Sequence, residues 1–328
     1  LPQLLLPQLL LPQLLLPQLL LPQRRLPQLP LHQRLLPQRR PPHHNRLSHP
    51  RPGNPPGLFF GSRDMAAIPL YDTHAHLADP RLAPILPQLI AECVVHGVRG
   101  ILANAARRNE WDAVASLSAR HDIVYAALGM HPFFLADWDD HSADELRQAI
   151  AAPPPGAKII AVGEIGLDFL SHRDSTAKQL AALAQQLLIA RDFDLPVCLH
   201  NRKAWPEFFA LLKDLRITTL RGYCHHFGAS RDIARQALDH GLYLSFCGPV
   251  ADPNSRRARA AALYAPLDRI LSETDCPDLP APQYHGQPSQ PWQVHAVVQA
   301  IADIKKATPE VVAATIAQNW QELFFPQR

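Results

Sequence analysis

Eight short apolar runs alternate with longer amphipathic runs between residue 65 and the end of the chain, and this alternation restricts the fold more than any other feature. A short apolar run bounded by turn signals predicts a buried strand, and apolar residues at helical spacing predict a helix. The predicted strands are an apolar run ending at Leu70 and the ranges 98–104, 123–129, 159–162, 196–200, 219–225, 242–247 and 269–273. This pattern over about 260 residues predicts an α/β fold, the (β/α)₈ TIM barrel. A doubly wound open sheet is the alternative, although no Gly-x-Gly-x-x-Gly follows the first strand to indicate a dinucleotide.

Residues 1–64 differ from the rest in composition. Residues 1–40 are pentapeptides of the Leu-Pro-Gln type, and residues 41–64 are rich in Pro, His and Arg. Because proline recurs in nearly every pentapeptide, no long helix can form, and we predict neither a membrane span nor a signal peptide. We predict a low-complexity, disordered tail without a folded role; a polyproline-II-like arm that recruits a partner is the alternative. Met65 is our hypothesis for the natural start, with residues 65–328 as the folded domain.

The net charge of +3 belongs to this tail. Residues 1–64 hold eight of the 32 basic residues and one of the 29 acidic residues, so residues 65–328 carry 24 basic and 28 acidic residues. The folded part is therefore mildly acidic and shows no basic stripe that would indicate a broad nucleic-acid surface. A small, local contact with nucleic acid would not need such a stripe.

The cysteines are scattered and odd in number, and no Cys-x-x-Cys pair occurs. This pattern predicts buried thiols in a reducing compartment rather than a disulfide framework or a thiolate zinc site. With no export signal and no membrane span, we expect a cytoplasmic protein without an obligate protein partner. The cysteines are Cys93, Cys198, Cys224, Cys247 and Cys276.

Histidines and carboxylates gather where the predicted strands end. In a barrel the carboxyl ends of the strands form the functional face, so these side chains are expected to converge. Nitrogen and oxygen ligands suit Zn, Mn, Co, Fe or Ni, with Mg possible where carboxylates dominate, and six ligands suit two metals that share a carboxylate. The six are His74, His76, Glu164, His200, His225 and Asp275.

Each of these residues also has a structural interpretation when it is taken alone. Glu164 could form a salt bridge, His200 could be a hydrogen-bonded core histidine, and Asp275 could cap the following turn. His225 and His226 are adjacent in a predicted strand, so they should point to opposite faces and only one should line the site. The coincidence of six such residues at strand ends favours a metal site.

The ordered motifs of residues 71–324 resemble those of the TatD family of metal-dependent hydrolases, within the amidohydrolase-like barrel superfamily. The resemblance covers the predicted domain and none of the tail. The matching stretches are Asp72-Thr73-His74-Ala75-His76-Leu77, Gly129-Met130-His131-Pro132, Gly163-Glu164-Ile165-Gly166-Leu167-Asp168, Leu195-Pro196-Val197-Cys198-Leu199-His200-Asn201-Arg202, Glu273-Thr274-Asp275-Cys276-Pro277 and Asn319-Trp320-x-x-Leu323-Phe324.

The resemblance implies a deoxyribonuclease that uses two divalent cations (Mg, Mn or Zn), with DNA as the substrate. It implies that one cation is held by His74, His76 and Asp275, the other by His200 and His225, and that Glu164 bridges them. The cations would activate a water and clamp the phosphoryl group, and Asp275 would accept the water's proton. We further expect Asp72 to orient a ligating histidine, Arg202 to contact phosphate, and His131 to line the substrate mouth.

Two departures from the family pattern keep other functions open. The usual His-x-Phe-x-Gly ends in Ala229, which puts the local turn in question, and residues 282–291 replace the Arg and Asn-Glu-Pro usual in nuclease members. This branch of the family is less characterised. The alternatives are a metal-dependent hydrolase of a small ester, amide or phosphoester, and a non-catalytic metal-binding barrel.

Overall fold

The computed structural model describes residues 69–327, without the side chain of residue 174. The predicted tail and the first residues of the predicted first strand lie outside this range. Eight parallel strands pair in the order β1 to β8, and a bridge between Ala75 and Cys276 links the last segment to the first. The strands are β1 Leu70–Ala75, β2 Val98–Asn104, β3 Val124–Leu128, β4 Ile159–Asp168, β5 Val197–Arg202, β6 Gly222–Cys224, β7 Tyr243–Phe246 and β8 Ile270–Ser272.

Helices follow the strands and cover the outside of the sheet, so the predicted TIM barrel is confirmed and the doubly wound sheet is wrong. Strand β1 lies next to β2 and the chain returns to it after β8, which an open doubly wound sheet does not allow. The helices are α1 Leu86–Val95, α2 Trp111–Arg120, α3 Ser142–Ala151, α4 Thr176–Asp192, α5 Trp205–Asp214, α6 Arg231–Asp239, α7 Arg256–Tyr264, α8 Val294–Lys305 and α9 Pro309–Phe324.

Two strands end well beyond the position that the sequence predicts, whereas the bounds of the other strands differ from the prediction by no more than three residues. Strand β1 extends to Ala75 instead of ending at Leu70, and β4 extends to Asp168 instead of ending at 162. Both extensions contain buried polar residues, such as Asp72 and Glu164. Apolar runs predict only the apolar part of a strand, and here the strands continue into the polar end of the barrel.

The apolar core has two parts. The larger part lies between the sheet and the surrounding helices. The smaller part consists of strand residues from several strands together with apolar residues of helix α9. Trp320 of α9 is fully buried, with its ring centroid 5.1 Å from that of Tyr71 and 5.7 Å from that of Tyr125. The Asn319 amide donates to the carbonyls of Leu267 (2.9 Å) and Ile270 (2.7 Å). Helix α9 therefore closes the end of the barrel where the strands begin.

All five cysteines are buried and free, as predicted. Within residues 69–327, none of the helices combines the length and the apolar character needed to cross a lipid bilayer.

Candidate metal centre

The six predicted ligands lie together at the carboxyl end of the barrel. His74 is within β1, and His76 follows its last residue. His225 follows β6 directly, and Asp275 lies three residues beyond β8. Glu164 and His200 are brought together because β4 and β5 pair closely: a Cβ on Gly166 (φ +150°) would lie 1.9 Å from the His200 carbonyl oxygen.

His74, His76 and Asp275 form the first group of converging atoms. The Nε2 atoms of His74 and His76 are 3.3 Å apart, and Asp275 Oδ1 lies 3.6 Å and 3.5 Å from them. Glu164 Oε2 faces the same point, at 3.4 Å from His74 Nε2 and 3.6 Å from His76 Nε2. Two imidazole nitrogens and two carboxylate oxygens directed at one point are a donor set that fits a divalent cation.

His200 and His225 form the second group around the other oxygen of Glu164. Glu164 Oε1 is 3.1 Å from His200 Nδ1 and 2.9 Å from His225 Nε2, and these two nitrogens are 3.2 Å apart. Because Oε2 faces the first group and Oε1 faces the second, Glu164 spans both groups. This is the geometry that a bridging carboxylate requires.

Four histidines use their remaining ring nitrogen to face an outer partner. His74 Nδ1 lies 3.1 Å from Cys198 Sγ, and His76 Nδ1 lies 3.2 Å from the Asn104 carbonyl oxygen. A proton on the outer nitrogen leaves the inner lone pair directed at the centre, and outer contacts of this kind fix the tautomer of a ligating histidine.

The same arrangement holds in the second group. His200 Nε2 lies 3.1 Å from Asp168 Oδ2, and His225 Nδ1 faces Glu273 Oε1 at 3.6 Å. Asp168 and Glu273 are fully buried, and neither was assigned a role from the sequence. Asp168 lies four positions from Glu164 within β4, so strand alternation offered a signal for it, whereas Glu273 lies beyond the end of β8, where alternation does not apply.

His131 approaches the same carboxylate with the opposite tautomer. Its Nδ1 accepts the backbone N–H of Phe133 (3.1 Å), so the ring proton is on Nε2, which lies 3.4 Å from Glu164 Oε1. His131, Glu164 and His200 lie close enough together to suggest a third cation group. In this tautomer, however, His131 faces the centre as a donor and not as a ligand.

Asp72 contacts backbone rather than a histidine ring. Its Oδ1 accepts the backbone N–H groups of His74 (3.1 Å) and Thr274 (2.9 Å), and its Oδ2 accepts the Thr274 hydroxyl. Burial raises the pKa of Asp72 to about 8, against the lowering effect of these hydrogen bonds. Asp72 thus ties β1 to the segment after β8, and it acts on His74 through the main chain.

Charge balance around Glu164 favours bound cations. Burial opposes its ionisation, but His131, His225 and His74 hold the pKa of Glu164 well below its usual range. The pKa of Asp275 is likewise lowered, because the neighbouring histidines outweigh burial. The same carboxylates raise the pKa of His76 to about 9. Protons on histidines therefore balance the carboxylates in the metal-free protein, and divalent cations can replace them.

A cavity of about 820 Å³ opens over these atoms, and we call it the main cavity. Both predicted substrate contacts, Arg202 and His131, line it, as does Phe133. The Arg202 side chain is 44% exposed, and its Nη1 lies 3.3 Å from Asp168 Oδ2. None of residues 282–291 lines this cavity, so the stretch that departs from the nuclease pattern does not shape it.

The expectation that only one of His225 and His226 lines the site is wrong, because both border the main cavity. Strand β6 ends at Cys224, so strand alternation no longer applies, and His226 has a φ of +45°. Ala229 is not among the residues with positive φ, so this turn does not require the family's glycine.

Comparisons with known proteins agree on one family. The family model described as TatD related DNase matches residues 71–325. A Bacillus subtilis (strain 168) protein named Uncharacterized metal-dependent hydrolase YabD is 31% identical over 257 residues, covering 78% of this chain and 98% of that protein. The 3'-5' ssDNA/RNA exonuclease TatD of Cronobacter sakazakii (strain ATCC BAA-894) is 32% identical over 244 residues, covering 72% and 90%. The crystal structure of YjjV, a TatD homolog from Escherichia coli K12, superposes with a TM-score of 0.72 at 30% identity, covering 78% and 97%.

Proposed function

This chain belongs to the TatD family of metal-dependent hydrolases, and from that premise we propose that it is a deoxyribonuclease that cleaves phosphodiester bonds of single-stranded DNA with two bound divalent cations. The observation that carries the proposal is Glu164, whose two carboxylate oxygens face two separate groups of histidine nitrogens. The name of the Cronobacter relative supports single-stranded DNA as the substrate.

His74, His76 and Asp275 would hold one cation, His200 and His225 the other, and Glu164 both. Cations at these positions supply Lewis acidity, which lowers the pKa of a water and offsets the charge of the phosphoryl oxygens. Mg, Mn and Zn are all compatible with this set of nitrogen and oxygen donors.

The protein's own groups orient the substrate and move the proton. Asp275 is ionised, because its pKa is lowered, so it is able to accept the proton of the attacking water. Arg202 contacts Asp168 through Nη1 and lines the cavity, and the remaining N–H groups of its guanidinium suit phosphate oxygens. His131 presents its Nε2 proton beside Glu164 and would donate to an oxygen of the substrate. Asp72 would keep the β1 end in place through the His74 backbone.

The test is hydrolysis of a single-stranded oligonucleotide by the full chain with Mg²⁺, Mn²⁺ or Zn²⁺, beside Asp275→Asn. We expect metal-dependent cleavage that Asp275→Asn reduces by about a thousandfold, since the variant loses a ligand and the proton acceptor together. Glu110→Gln is the matched control, because Glu110 also lines the main cavity but belongs to neither ligand group.

The other outcomes separate the remaining functions. If metal binds and the oligonucleotide stays intact, a panel of small esters, amides and phosphoesters identifies a small-molecule hydrolase. If no divalent metal binds, the metal-dependent proposal fails.

A further inference from the structure

A second cavity, of about 370 Å³, lies beside the main one, and we call it the side cavity. The two share Arg202, His225 and His226 in their linings, so the side cavity opens next to the metal centre. Its other walls come from the segment after β4, from the end of β5 to the start of α5, from the segment after β6 with the start of α6, and from helix α7. A substrate held at the metal centre can therefore extend into it.

The two cavities differ in the charge of their linings. Five carboxylates line the main cavity, whereas none of the side cavity's lining residues is acidic. Three cations border the side cavity: Arg202, Lys203 and Arg257. Lys203 and Arg257 are exposed, and within residues 69–327 neither has a carboxylate at salt-bridge distance. Their charge is free to attract an anion.

One buried hydrogen-bond donor among the residues that line the side cavity lacks an acceptor. The Asn201 side-chain oxygen accepts the Ala204 backbone N–H (3.3 Å), while its buried Nδ2 has no hydrogen-bond partner among the described residues. Helix α6 begins at Arg231 with its cap, Ser230, in the cavity lining, so the partial positive charge of the helix start adds to the cations. A buried donor without an acceptor, next to free cations, is the pattern expected where an anion binds.

We propose that the side cavity binds a backbone phosphate of the substrate strand, one that flanks the phosphodiester at the metal centre. Arg257, Lys203 and the Asn201 amide supply the contacts, and Arg202 connects the two cavities. This site would make the enzyme favour an oligonucleotide over a phosphodiester with no second phosphate. The inference rests on the proposed function, because it assigns the occupant of the side cavity from the substrate at the metal centre.

The experiment compares Arg257→Glu with Arg256→Glu in the full chain. Both residues are exposed in the first turn of α7, and only Arg257 lines the side cavity, so the two variants change net charge and helix alike. One measurement is the ratio of kcat/KM for a single-stranded hexanucleotide to kcat/KM for bis(p-nitrophenyl) phosphate. The other is equilibrium binding of a phosphorothioate hexanucleotide over a range of salt concentrations.

For Arg257→Glu we expect the ratio to fall about tenfold, as for a lost charge-assisted contact. The slope of log K against log salt should decrease in magnitude by about 0.7 for each lost phosphate contact. Arg256→Glu should match the wild type in both measurements. Equal behaviour of the two variants would overturn the side-cavity site, and cleavage by the wild type would still uphold the proposed function. Binding that only Arg257→Glu weakens, without cleavage of DNA, would uphold the site and refute the nuclease.

Discussion

The two ends of the barrel differ in the kind of residue that they bury: polar and charged side chains at one end, aromatic side chains at the other. At the carboxyl end, histidines and carboxylates are buried around Glu164, whose burial is unfavourable without counter-charges. At the other end, the fully buried ring of Trp320 packs against the rings of Tyr71 and Tyr125. Apolar packing stabilises a fold directly, whereas clustered charge in a cleft is arranged for binding or chemistry. The comparison indicates that stability and function are separated along the barrel axis.

The strongest test of this separation is Trp320→Ala. The ring is fully buried, and its loss leaves a cavity between α9 and the strand starts, so we expect the free energy of unfolding to fall by about 3–5 kcal/mol. Urea unfolding measures this change. Metal content per folded chain should stay the same, because no candidate ligand contacts Trp320. Leu263→Ala serves as the control, since Leu263 is 64% exposed and its truncation should be nearly neutral. A variant that kept its stability but lost its metals would contradict the separation.

The converse test is Glu164→Gln at the polar end. The amide keeps the shape of the side chain but loses the negative charge that both histidine groups face. Loss of a residue that hydrogen-bonds to a metal ligand lowers metal affinity or activity by about 10- to 100-fold. Loss of a ligand that both cations share should therefore reduce the rate of hydrolysis by more than about a hundredfold. Metal analysis after gel filtration should show less than the wild-type content. Full metal loading together with full activity would rule out the bridging role.

The fold was predictable because its signal repeats. The assignment of a fold from eight apolar runs separated by amphipathic helices stays the same when any one boundary is wrong by a few residues. The largest errors, at the ends of β1 and β4, fall where Asp72 and Glu164 are buried. A method based on apolar runs cannot extend a strand through polar residues that are buried for function.

The site was only partly predictable. Position at a strand end identified the six residues that the structure brings together, and their assignment as ligands remains a prediction. The partners that orient the rings were missed, because they belong to other strands: Cys198 faces His74 across 124 residues of sequence. The His131 tautomer depends on one backbone N–H, and no spacing rule indicates it. Contacts between distant segments exist only after folding.

The smallest expected effect is a drift in the stability of the metal-free protein with pH. Burial opposes protonation of His76, but Asp275 and Glu164 raise its pKa to about 9, against 6.5 for an ordinary histidine. A raised pKa stabilises the folded state fully below 6.5, and this contribution is lost as the pH rises toward 9. His225, whose pKa is also raised, acts in the same direction. His74 has a lowered pKa, so it is neutral in the folded state across this window, and its opposing contribution is confined to the lower edge near pH 6.5, where the unfolded chain still protonates it.

We therefore expect the urea midpoint of the metal-free protein to fall between pH 6.5 and 9. The effect should be smaller than that of Trp320→Ala, because solvent reaches 22% of the His76 side chain and screens its charge. His76→Gln should reduce the drift and leave the part that comes from the raised pKa values of His225 and Asp72, whereas His141→Gln, at an exposed histidine outside the site, should leave it unchanged. A bound cation keeps His76 neutral and should also reduce the drift. A urea midpoint that rose over this range would contradict the idea that protons on the histidines balance the carboxylates. It would also remove the electrostatic argument that divalent cations replace those protons.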